Sequence, residues 1–169
     1  MKNIIGCIVT LIMLISQNVM ALETKGTLTA NGKSSALKYA MAYETESTTE
    51  PGYLDVVVVI SDRKLPEDVV RNQEMLEEMA RKQGVAALRV VLNPDAKVMS
   101  AEPLHPAFTN LLSSALWVKW EPSAFDENQV AGRFFTDGMQ QEFGQKWQYD
   151  IRFSAPILLD PEGKTVPAQ

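Results

Sequence analysis

The sequence predicts a mainly β domain with one inserted α-helix, arranged as an antiparallel β-sandwich or a partly open β-barrel. Three observations predict it. Apolar and polar residues alternate over 33–43 and 146–157, the period of half-buried strands. Turn-forming residues separate most of the apolar runs. Only one stretch, from Pro66 to Gly84, has helical spacing together with start and stop signals.

The elements follow in order. Residues 25–30 and 33–43 flank Asn31-Gly32, a dipeptide that tolerates the positive φ angles of a hairpin turn. In the second arm Leu37, Tyr39, Met41 and Tyr43 are expected on one face. Residues 44–52 are polar and read as an exposed loop. Residues 53–61 contain Val56-Val57-Val58-Val59-Ile60, a β-branched run that predicts a strand covered on both faces. The helix that follows is the expected second cover. Pro66 suits its first turn, and Glu67 and Asp68 suit its positive end. Val69, Leu76, Met79 and Ala80 form its stripe. Arg81 and Lys82 suit its negative end, and Gly84 stops it.

Residues 85–92 return to strand, with Leu88, Val90 and Leu92 on one side. Asn93-Pro94-Asp95 turns the chain into a return arm at 97–101. Residues 103–114 read as a loop with one helical turn. Residues 116–121 read as a strand that puts Trp117 and Trp120 on opposite faces. Strands at 130–136 and 146–157 complete about eight. The last alternates most regularly, with Trp147, Tyr149, Ile151, Phe153 and Ala155 on one side.

Residues 1–21 read as a signal peptide. Lys2 supplies a positive start, residues 4–15 are uncharged and largely apolar, and Ala21 precedes the expected cleavage. The apolar run is shorter than the roughly 20 residues of a membrane span. The chain is therefore expected in the periplasm or secreted, with no transmembrane segment after cleavage. One β-rich domain is expected at 22–158 and a loose C-terminal tail at 159–169. Cys7 is the only cysteine, so the mature chain is expected to carry no thiol. Stability must then come from packing rather than disulfides. The formal net charge of −5 and the lack of a basic run argue against nucleic-acid binding. An outer-membrane barrel is disfavoured, because a charged helix interrupts the strands and several fall short of the roughly 9–11 residues that span a bilayer.

Chemical motifs are few. His105 is the only histidine and has the residue type of a general base. Placed before Pro106, it reads more readily as an extended, half-exposed loop residue. Glu102 is its nearest carboxylate in sequence. Ser61-Asp62-Arg63-Lys64 matches the Ser-x-x-Lys pattern of penicillin-binding enzymes, but it ends a strand and lacks the companion elements. Gly32-Lys33-Ser34 and Gly163-Lys164-Thr165 lack the first glycine of a P-loop. The carboxylates are scattered, so no metal site and no cofactor is expected. Aromatic residues concentrate in the last third, where they can fill a core or line a ligand cleft.

Several phrases carry a resemblance. They are Gly26-Thr27-Leu28-Thr29-Ala30-Asn31-Gly32-Lys33, His105-Pro106-Ala107-Phe108, Ala131-Gly132-Arg133-Phe134-Phe135-Thr136 and Tyr149-Asp150-Ile151-Arg152-Phe153-Ser154-Ala155-Pro156. In that order the chain resembles a group of small secreted bacterial proteins. They share a G-x-L-T-x-x-G-K opening and an A-G-R-x-x-T … Y-x-Y-D-x-x-F-x-A-P close. Trp147 stands where that pattern has tyrosine. The resemblance implies a common architecture, no known activity, and no catalytic residue to carry over.

The expected function is binding, of an envelope protein, a glycan or a small apolar ligand, with His105, Trp117 and Trp120 as the candidate residues. The alternatives are a small extracytoplasmic hydrolase using His105 with a carboxylate, and a purely structural envelope subunit.

Overall fold

A computed structural model describes residues 23–158 apart from Ser114. The expected leader, with Cys7, and the expected tail lie outside the described residues. The described chain is mainly β, as the sequence predicts. Its elements are β1 (Lys25–Ala30), β2 (Lys33–Leu37), β3 (Tyr39–Glu46), β4 (Leu54–Ser61), α1 (Glu67–Arg71), α2 (Gln73–Gln83), β5 (Ala87–Leu92), β6 (Val98–Leu104), β7 (Lys119–Phe125), β8 (Gln129–Phe135), β9 (Gln140–Glu142) and β10 (Gln145–Leu158).

The strands form one curled sheet in the order β2-β1-β10-β3-β4-β5-β6, with β8 and β9 also on β10 and β7 on β8. The result is a half-barrel, the partly open alternative of the two architectures expected. All pairings are antiparallel except β10 with β3, which run parallel at Ile157↔Ala42 and Leu158↔Tyr43. Strand β10 organises the sheet. One edge carries β1 and then β3; the other carries β9 and then β8. Its burial alternates along its length, as the sequence pattern requires.

Two apolar layers result. The interior of the half-barrel holds Leu28, Leu37, Val58, Ile60, Leu88, Val90, Phe134, Trp147, Ile151 and Phe153 among others. The outer face of the β3–β6 half holds Val57, Val59, Ala87 and Leu104 against Val69, Val70, Leu76 and Ala80 of the helices. Strand β4 is thus buried on both faces, the arrangement its β-branched run predicts.

Several expectations need correction. The helix is two helices. Asn72 breaks it with an extended backbone and caps α2, its side chain accepting from the Met75 N–H at 3.1 Å. Residues 33–43 are two strands, not one. Lys38 interrupts them, and its N–H donates to Ser61 O at 2.9 Å. One interrupting residue shifts the alternation. Leu37 faces the interior, whereas Met41 and Tyr43 face the helices and Tyr39 is exposed. Finally, β7 begins at Lys119 rather than 116, so Trp117 lies before the strand. Strand β6 also runs on through Pro103, which an edge strand tolerates.

Candidate functional site

The curled sheet brings its two ends together. Strand β2 begins one end and β6 closes the other, and no backbone ladder joins them. Side chains join them instead. His105, the residue after β6, contacts Ser35 of β2 through Nε2 to Oγ at 3.0 Å. Asn31, in the β1–β2 turn, donates from Nδ2 to Ala107 O at 2.8 Å. His105 is only 6% exposed, which corrects the expectation of a half-exposed loop residue. Its ring meets Phe108 edge-on, with centroids 6.1 Å apart.

The tautomer of His105 follows from its neighbours. The backbone N–H of Ala107 donates to Nδ1 at 3.0 Å, so Nδ1 carries a lone pair and Nε2 carries the proton. Nε2 therefore donates to the Ser35 hydroxyl. A general base that activates serine needs the reverse, with Nε2 accepting and Nδ1–H held by a carboxylate. Glu102 does not supply that carboxylate. It pairs with Arg89 at 3.3 Å, and Ser113 Oγ lies 3.5 Å from the same oxygen. Its other oxygen, Oε2, is buried without a partner. Burial pushes the Glu102 carboxyl up, against the pull of Arg89.

Burial also holds His105 below its ordinary value of 6.5; nearby Asp62 opposes the shift and Lys33 adds to it. Stability then depends on pH with a definite sign. As pH falls below about 6.5, the unfolded chain takes up a proton that the folded chain resists, so stability falls until the folded value is passed. Glu102 acts in the opposite sense, because its raised value removes stability as pH rises above 4.5. Denaturation of the His105→Gln variant between pH 5 and 7.5 isolates the histidine, since Glu102 is common to both proteins. Relative to the variant, the wild type is expected to lose stability toward pH 5. A pH-independent difference between the two would remove the assignment.

Beside His105 lies a cleft of about 310 Å³, between α2 and the segment after β6. Ala80, Leu104, Phe108 and Leu111 form its apolar lining, and Glu77, Arg81 and Thr109 add polar groups. Helix α2 presents Ala80 here because Leu76 and Ala80 share its buried stripe. The segment opposite is held by Gln145 of β10. Its Oε1 accepts from the Thr109 N–H at 2.6 Å, and its Nε2 donates to Asn110 O at 3.0 Å.

Of the candidate residues expected from sequence, only His105 lines this cleft. Trp120 packs in the barrel interior, stacked on Phe134 at 4.4 Å and on Phe153 at 5.8 Å, with its Nε1 buried and without a partner. Trp117 stands in the connection before β7, partly exposed and away from the cleft lining. Ser35 and Gln145 carry no sequence signal for their roles, because their partners lie 70 and 36 residues away. Phe108 was accessible only as part of the His105-Pro106-Ala107-Phe108 phrase. Among the described residues, no group of three or more His, Cys, Asp or Glu side chains is placed to hold a metal ion. No described helix is long and apolar enough to cross a membrane. No family model, curated protein or solved structure matches the chain.

Proposed function

We propose that the protein is an exported binding domain whose cleft between α2 and residues 103–111 takes a small apolar ligand. The observation that carries the reading is the cleft: apolar side chains line most of it, and a few polar groups stand with them to orient an occupant. The tautomer of His105 favours binding over hydrolysis, because its Nε2 donates to the Ser35 hydroxyl rather than accepting from it. Export rests on the leader at 1–21, and N-terminal sequencing of protein from outside the cytoplasm is expected to begin at Leu22. Recovery of only uncleaved chain from the cytosol would sink that part.

The cleft is tested with anilinonaphthalene sulfonate, whose rings suit the apolar lining and whose sulfonate suits Arg81. One saturable site is expected. Ala80→Phe fills the cleft, and Leu111→Asp places a charge at its mouth without touching the core. Each is expected to reduce probe affinity at least about tenfold, a loss of 1.4 kcal/mol of binding. Unchanged affinity in Leu111→Asp, with the fold intact, overturns the cleft as the ligand site.

A further inference from the structure

One end of the half-barrel gathers exposed apolar side chains from separate turns. Phe143 occupies the apex of the β9–β10 turn and is 77% exposed. Met139 lies between β8 and β9, and Leu111, Leu116 and Trp117 lie in the connection between β6 and β7; Leu116 is 82% exposed. Bonds on the page bring these turns together. Gln145, two residues from Phe143, bonds both Thr109 and Asn110, which precede Leu111. Lys119, two residues from Trp117, bridges Asp137 at 3.4 Å, two residues before Met139. Asn31 joins the same end, its Oδ1 accepting from the Lys146 N–H at 2.9 Å.

We propose that this end docks on an anionic lipid bilayer, with Phe143, Met139, Leu116 and Trp117 entering the headgroup–acyl boundary. Several exposed apolar side chains gathered at one end of a folded chain mark an interaction surface. Two features choose a bilayer over a protein partner. The apolar groups sit on turn tips from three connections, a shape that inserts into a fluid layer rather than matching a rigid one. Three lysines stand exposed at this end, Lys33, Lys119 and Lys146, of which Lys119 bridges Asp137, with Glu142 as the other carboxylate. Lysine is depleted at protein interfaces, whereas each one near an anionic membrane surface attracts it. Tryptophan is enriched at the membrane–water boundary. The proposal is independent of any ligand in the cleft.

The full chain with Cys7→Ser carries an environment-sensitive fluorophore at Phe143→Cys or, as a control, at Glu127→Cys in the β7–β8 turn at the far end of β10. Vesicles of phosphatidylcholine with 30% phosphatidylglycerol are added. The label at 143 is expected to shift to the blue and be quenched by brominated acyl chains, while the label at 127 stays aqueous. That contrast separates docking by this end from binding through the leader. Lys33→Glu with Lys146→Glu is expected to weaken the response at least about tenfold, since each lysine contributes about fivefold. Equal responses at 143 and 127, or none at 143, overturn the proposal. A blue shift at 143 that grows with protein concentration without vesicles also overturns it, and assigns the end to contact between copies. Ala80→Phe leaves the response unchanged, so failure of the cleft reading and failure of this one are distinguishable.

Discussion

Replacing Gly132 with alanine is expected to cost more than about 4 kcal/mol, the range reserved for substitutions with a specific steric cause. Gly132 lies in β8 between Phe153 of β10 and Pro122 of β7, beside the irregular register at Pro122/Ala124. A Cβ there would stand 2.3 Å from Glu121 O and 2.6 Å from the Trp120 ring. The carbonyl belongs to β7, which pairs with β8 on both sides of that irregularity, so its withdrawal disturbs the ladder. The φ of +156° adds strain for any side chain. Gly138→Ala is the control. Its φ is +71° but nothing lies within 4 Å, so only the backbone penalty of roughly 1–2 kcal/mol applies. Urea denaturation followed by tryptophan fluorescence compares the two. A loss at Gly132 no larger than that at Gly138 would refute the steric account.

Phe134→Ala is expected to cost about 3–5 kcal/mol, the range for truncating a buried phenylalanine. Its ring is fully buried and lies 4.4 Å from Trp120 and 5.0 Å from Phe153, so two of the three mutual ring contacts in this cluster are lost. The next residue provides the contrast. Phe135 points to the opposite face, where Arg133 lies over its ring at 4.2 Å and the side chain is half-buried. Phe135→Ala is expected to cost about 1 kcal/mol, the worth of an exposed cation–π contact plus partial burial. Similar losses at the two positions, measured by chemical denaturation, would mean that β8 is not registered as described.

The contrast between neighbouring phenylalanines shows where the fold was legible. Strand alternation in β10 and the β-branched run in β4 report burial directly, because side-chain direction there follows from position alone. The αL cap at Gly84 was legible for a similar reason, since glycine tolerates its φ of 68°. The break at Lys38 was not legible. Nothing in its residue type marks it; it exists because the chain must pass from one part of the curled sheet to another. The split at Asn72 was readable in principle, since asparagine is a strong N-cap residue, but the apolar stripe running from Val69 to Leu76 concealed it. The candidate site was the least legible part. His105 was singled out as the only histidine, yet its meaning depends on Ser35 and on the Ala107 N–H, and these contacts exist only once the two sheet ends meet. Trp120 lies within β7 and stacks on Phe134 and Phe153, contacts that depend on strands far away in sequence.

The central place of β10 has a consequence for the order in which the chain acquires structure. This strand is the last of the described elements, yet β1, β3, β8 and β9 all pair with it. Ala30 waits for Trp147, and Ala42 waits for Ile157. During synthesis from the N-terminus, the hairpin of β1 and β2 and the unit of β3 to β6 have no common strand to lie against until residues 145–158 emerge. Loop closures of more than a hundred residues must precede their reward, which delays folding. The β3–β6 unit can pair within itself, but the β1–β2 hairpin joins it only once β10 is present to lie between them.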